Sequence, residues 1–100
     1  MFNHYALIDP RSPEDYRYVG RTRHTLKRRL SMHLNTAKTH YPGSPVHQWI
    51  VDLLLLGIKP EIVNLSFGFE GDEEFLIKHF AREGHCLLNV VHNYNGKKGE

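Results

Sequence analysis

The period of hydrophobic and polar positions changes several times along the chain, and the changes mark out six elements. FNHYALID (residues 2–9) is rich in strand formers, with Tyr5 and Leu7 alternating against Ala6 and Ile8. PRSPED (10–15) has turn chemistry. YRYVG (16–20) reads as a second strand ending at a glycine, and two strands joined by so short a loop pair as a hairpin. From Thr25, a residue able to cap a helix, the period lengthens: Leu26, Leu30, Leu34 and Ala37 recur at helical spacing. Residues 38–43 read as a loop. Ser44-Pro45 then supplies an N-cap with proline at the first helical position. Behind it Val46, Trp49, Ile50, Leu53 and Leu54 form an apolar stripe closed by Gly57, with Trp49 expected in the core. PEIVNLSFGF (60–69) alternates again, which predicts a third strand with Val63, Leu65, Phe67 and Phe69 on one side. Residues 72–83 form a last helix, acidic at its start and stopped by Gly84. HCLLNVV (85–91) is expected to pack back on the domain.

The order β-β-α-α-β-α predicts a small α+β domain, a three-stranded antiparallel sheet flanked by helices. Its expected extent is residues 1–92, with 93–100 as a loose C-terminal tail. At 100 residues the chain has the length of one domain and can bury a real core. Three classes drop out. The longest apolar run, Ile50 to Gly57, is interrupted by Asp52 and is too short to span a bilayer. The single cysteine, Cys86, excludes an internal disulfide framework. The eight histidines show no Cys/His pattern at zinc spacing. The start, MFNHYALIDP, has no basic segment followed by an apolar one, so no secretory leader is expected and the setting reads as intracellular (cytoplasmic).

Net charge is only +2, but its distribution is uneven. From Tyr16 to Val51 there is no Asp or Glu, while seven Lys or Arg and four His occur. From Glu61 to Glu74 the balance reverses, with five acids and no base. A basic half facing an acidic cluster can form one site that holds an anion and a cation together.

Shared faces narrow that site. Arg29 and His33, four apart, stand one above the other on a face adjoining the leucine stripe. They follow closely on Tyr18 and Gly20, and Tyr5 lies on the strand expected to pair with Tyr18's. Glu73 sits in the first turn of the last helix, with Ile77 and Phe80 on its face. Taken singly, each of these residues has an ordinary structural explanation; their joint spacing does not.

That spacing resembles the GIY-YIG nuclease family. Asn3-His4-Tyr5 stands where the first motif of the family falls, keeping only its tyrosine, and Tyr18-Val19-Gly20 matches the second. Arg29 and His33 fit the helix pair, Glu73 fits the metal-binding glutamate, and Asn89 fits the asparagine that follows. The matches run from residue 3 to residue 89, essentially the whole chain. Glu74 beside Glu73 leaves the ligand open by one residue, with Glu73 preferred by its spacing to Leu76-Ile77.

The resemblance implies a metal-dependent endonuclease that hydrolyses phosphodiester bonds in DNA through Tyr5, Tyr18, Arg29, His33, Glu73 and Asn89. Glu73 would hold Mg²⁺ (or Mn²⁺) with waters and phosphate. Arg29 offers a planar cationic fork to phosphate oxygens. Tyr5 or Tyr18 would position or deprotonate water, provided that neighbouring cations lower its pKa. His33 would orient a tyrosine or contact phosphate, and Asn89 would hydrogen-bond within the site. Arg21, Arg23, Lys27 and Arg28 would track phosphates without reading sequence. His40 and His47, flanking a Pro-Gly loop, read as surface residues near DNA. The degraded first motif motivates an alternative, a module of the same fold that binds nucleic acid without cutting it.

Overall fold

The computed structural model describes residues 1–39, 43–68 and 72–89. The elements follow the expected order: β1 (Phe2–Ile8), β2 (Tyr16–Thr22), α1 (Leu26–Thr39), α2 (Pro45–Leu55), β3 (Glu61–Gly68) and α3 (Asp72–Arg82). They form an α+β domain whose single antiparallel sheet has the order β2-β1-β3. Among the described residues no helix is long and apolar enough to cross a membrane. Residues 40–42, the end of the expected third strand at Phe69, and the expected tail at 93–100 lie outside the described residues.

β1 is the central strand and is buried without a break from His4 to Ile8. The loop after it is fastened by Arg11, whose Nε and Nη2 donate to the Asp9 carboxylate at 3.1 and 2.8 Å. Those hydrogen bonds hold Asp9 below the usual carboxylate range. On one face Tyr5 and Leu7 meet Ala37, Val46 and Ile50, with Leu26, Leu30, Leu34, Trp49, Leu54 and Ile62 packed around them. The leucine stripe of α1 and the apolar stripe of α2 therefore do cover the sheet, and Trp49 packs, partly buried, against that core. Thr25 caps α1 through its Oγ1, which accepts from the Arg28 N–H at 3.2 Å.

Four expectations need correction. β2 does not stop at Gly20 but runs to Thr22, because Arg21 and Thr22 still find partners opposite His4 and Asn3. α1 continues to Thr39 rather than ending before Lys38, since no glycine or proline stops it sooner. α3 ends at Arg82, one residue before Glu83. In β3 the expected single-sided stripe is broken. Tyr5 pairs with Asn64 but His4 pairs with Ser66, so Leu65 is an extra residue and the alternation inverts there. Val63 then shares a face with Ala6 while Phe67 shares the opposite one with Asn3, and it is Ile62 that joins the core.

The last described residues do pack back. α2 ends on Gly57 at φ 76°, where the Ile58 N–H reaches the Leu53 carbonyl at 2.9 Å, and α3 turns at Gly84 in the same manner. Residues 85–89 then run beside β2. The His85 Nδ1 accepts from the Tyr16 N–H at 2.8 Å, and the Leu88 N–H donates to the Arg17 carbonyl. This run brings Leu88 and Asn89 to the centre of the β2 edge.

Candidate active site

Tyr5, Tyr18, Arg29, His33, Glu73 and Asn89 come from four elements and the run after α3, and the fold brings them to one place. A cavity of about 280 Å³ is lined by Tyr18 of β2, Arg29 and His33 of α1, Glu73 and Ile77 of α3, and Leu88 and Asn89, together with Ser44, Val46 and His47 at the start of α2. Tyr5 lies beneath it, fully buried. Its hydroxyl accepts a hydrogen bond from Arg29 Nε at 3.0 Å and lies 2.7 Å from His33 Nε2.

Gly20 makes this placement possible. It pairs with Tyr5 across the sheet, and a Cβ there would lie 2.5 Å from the Tyr5 hydroxyl oxygen. The missing side chain lets the phenol cross over β2 toward α1. The glycine of the Tyr18-Val19-Gly20 motif thus has a steric purpose.

Protonation in this group follows from burial. Loss of solvation, reinforced by the neighbouring Tyr18 and only partly offset by Arg29, pushes the Tyr5 phenol upward. That shift favours the protonated phenol. A protonated phenol that accepts from Arg29 can direct its own hydrogen to His33 Nε2, which the neutral imidazole with its proton on Nδ1 would accept. Burial, with help from the charges of Arg29 and His47, lowers the His33 pKa to about 3. His33 touches Tyr5 through Nε2 and also lines the cavity.

Glu73 and Glu74 separate. Glu73 lines the cavity, whereas Glu74 is exposed and pairs with Lys78 one turn on at 2.9 Å. The carboxylate of Glu73 also receives Arg21 Nη1 at 2.6 Å. Arg21 is thus not simply one of a set of outward cations: it is turned onto Glu73, with its guanidinium over Phe2 at 5.3 Å. Arg23 also stacks on Phe2, at 4.7 Å, while Lys27 and Arg28 are exposed on α1.

Asn89 is engaged at both ends of its amide. Nδ2 donates to the Val19 carbonyl at 2.7 Å and Oδ1 accepts from the Val19 N–H at 2.9 Å, as a neighbouring strand would. Replacing Asn89 with alanine is expected to strip both partners from Val19 and cost about 1–3 kcal/mol. An unchanged urea midpoint would show that these bonds carry no stability.

Sequence reasoning missed Ser44 and His47. His47 is not a general surface residue; its half-buried ring lines the cavity, 5.9 Å from that of His33. The signal was present in Ser44-Pro45-Val46-His47, the spacing of a capping box with histidine at the third helical position. Ser44 makes no side-chain bond to the helix backbone, and its Oγ lies 3.0 Å from His47 Nδ1 instead. His40 lies outside the described residues.

Comparison with protein-family models, with curated proteins and with solved structures finds no match to this chain.

Proposed function

We propose that the chain is a divalent-metal-dependent endonuclease of the GIY-YIG type, hydrolysing phosphodiester bonds in DNA. The observation that carries this reading is the meeting of Tyr18, Arg29, His33, Glu73 and Asn89 around one cavity, with Tyr5 bonded to Arg29 and His33 beneath it. Residues as far apart in the chain as Tyr18 and Asn89, picked by the spacing of the family motifs, have no structural need to share a cavity.

The parts suit the chemistry. Arg29 has one N–H fixed on Tyr5, which holds the guanidinium plane in place before a phosphate arrives. Tyr5 and His33 serve as the frame for Arg29, and Tyr18 is the tyrosine that can meet a water or a phosphate oxygen. Arg23, Lys27 and Arg28 supply the phosphate grip along DNA. Among the described residues no group of three or more His, Cys, Asp or Glu side chains is arranged to hold a metal ion. Mg²⁺ needs no such group: it keeps much of its water shell and takes one or two carboxylates with substrate phosphate. The single carboxylate of Glu73 fits that demand, with Arg21 giving up its place on Oε1. A bound ion would offset the negative charge that builds on the phosphate as the bond breaks.

The experiment is cleavage of supercoiled, linear, single-stranded and branched DNA with Mg²⁺, Mn²⁺ or EDTA. Wild type and Glu74→Ala are expected to cut with either metal and not in EDTA, whereas Glu73→Ala falls to background while keeping its fold. Undiminished cutting by Glu73→Ala would remove the reading. The Arg21–Glu73 pair favours a second one, since it neutralises the carboxylate without metal. A non-cutting binding module of this fold would hold DNA with an affinity that falls steeply with salt and show no product at any metal concentration.

A further inference from the structure

Two cations lean on one ring at the end of β2. Arg21, the last but one residue of that strand, and Arg23, just past it, both carry their guanidinium over Phe2, at 5.3 and 4.7 Å from the ring centre. Arg23 is exposed on its outer side. Arg21 faces two ways, because its Nη1 also donates to Glu73 Oε1 at 2.6 Å. That ion pair is partly shielded from water, with the Glu73 side chain 18% exposed and that of Arg21 34%.

We propose, on the metal-dependent hydrolase reading above, that Arg21 is a gate that couples DNA binding to metal binding. It holds Glu73 while no DNA is bound, and a DNA phosphate seated beside Arg23 draws it off and frees the carboxylate.

Three physical points support the gate. A divalent cation that approaches Glu73 in the resting chain meets an oxygen already holding a guanidinium, and a like charge beside it. Two guanidinium groups around one ring repel each other, and a phosphate between them relieves that repulsion while offering paired oxygens to each planar fork. Once Arg21 turns to phosphate, a carboxylate that is mostly covered loses its partner charge, which favours its capture of a cation. DNA and metal then each raise the affinity for the other by the same factor. The resting chain leaves Glu73 neutralised, and the metal is taken up where a phosphodiester already lies. Arg21 is on this account a positioning residue that acts through Glu73.

The test requires no cleavage. Mn²⁺ binding in the absence of DNA is followed by loss of the free-ion EPR signal in wild type, Arg21→Gln, Arg21→Lys, Arg23→Gln and Glu73→Gln, with Arg21→Met in reserve should the glutamine variant not fold. Removing a partly exposed ion pair as competitor is expected to make Arg21→Gln bind about fivefold tighter than wild type. Arg21→Lys keeps the charge and should stay close to wild type. Arg23→Gln takes the same charge from the same ring without touching Glu73, and should shift binding less than Arg21→Gln does. Glu73→Gln should lose the site. The DNA side is read from the anisotropy of a labelled duplex in EDTA. There Glu73→Gln should bind about fivefold tighter than wild type, because it releases Arg21, and most of that gain should disappear in the Arg21→Gln background. A simple loss of negative charge would give the same gain in both backgrounds, and that result overturns the gate. So does Mn²⁺ binding by Arg21→Gln that is no tighter than wild type; if Glu73→Gln still loses the site, the hydrolase reading stands. Mn²⁺ binding undiminished in Glu73→Gln, or absent from every variant, overturns both.

Discussion

Replacing Gly20 with alanine is expected to destabilise the fold by about 3 kcal/mol, the upper part of the usual range for overpacking a tight interior. The added methyl would lie 2.5 Å from the Tyr5 hydroxyl oxygen and 2.7 Å from Cζ, well inside contact distance. Neither neighbour can yield cheaply. Tyr5 is fully buried, and its hydroxyl is tied to Arg29 and His33 on a different element. Gly20 itself is held in the middle of a paired strand. Relief therefore means moving the phenol off α1 or parting β1 from β2, and either loses hydrogen bonds as well as packing. Urea denaturation reads the cost, and a double-mutant cycle identifies its source. Tyr5→Leu is costly by itself, but Gly20→Ala should add much less in that background than in wild type. Equal costs in both backgrounds would show that the ring is not what the glycine accommodates.

The same pair shows what a linear pattern can and cannot reveal. Tyr5, Tyr18 and Gly20 stand out because strand periodicity and motif spacing are local properties, and so is the one-turn stack of Arg29 on His33. The order of elements was legible for the same reason, each having its own period and its own stop. What failed depended on partners. The extra residue at Leu65 exists only relative to β1, so Val63 and Phe67 look like neighbours on one face until the sheet is assembled. Arg21 resembles any other cation in its segment, and its contact with Glu73, 52 residues away, is set by how α3 packs against β2. His47 was hidden by a loop reading. Its side chain is turned inward by Ser44, whose hydroxyl looked like an ordinary helix cap. Burial, which composition does not reveal, outweighs Arg29 at Tyr5 and pushes its phenol upward.

Burial of His33 makes a second large effect, an acid-sensitive fold. In the folded chain its pKa is about 3, while a histidine in an unfolded chain ionises near 6.5. Between those values the unfolded chain binds a proton at this site that the folded chain does not. Stability therefore rises with pH across that window and is lost as pH falls from about 6.5 toward about 3. The full window is worth on the order of 4 kcal/mol, with a slope approaching 1.4 kcal/mol per pH unit in its middle. The cause is specific: a proton on Nε2 would displace the one Tyr5 directs there, and the resulting cation would sit buried beside Arg29. His33→Gln has no proton to gain. Its unfolding free energy, measured in urea from pH 7.5 down to about 4, should therefore fall less steeply than that of wild type by close to one proton. It will start from a lower value, because glutamine fills the His33 space imperfectly, and the two curves should converge as the pH drops. Parallel curves would mean that His33 takes its proton in the folded state. The hydrogen bond that holds Tyr5, and through it Arg29, would then not depend on a neutral imidazole.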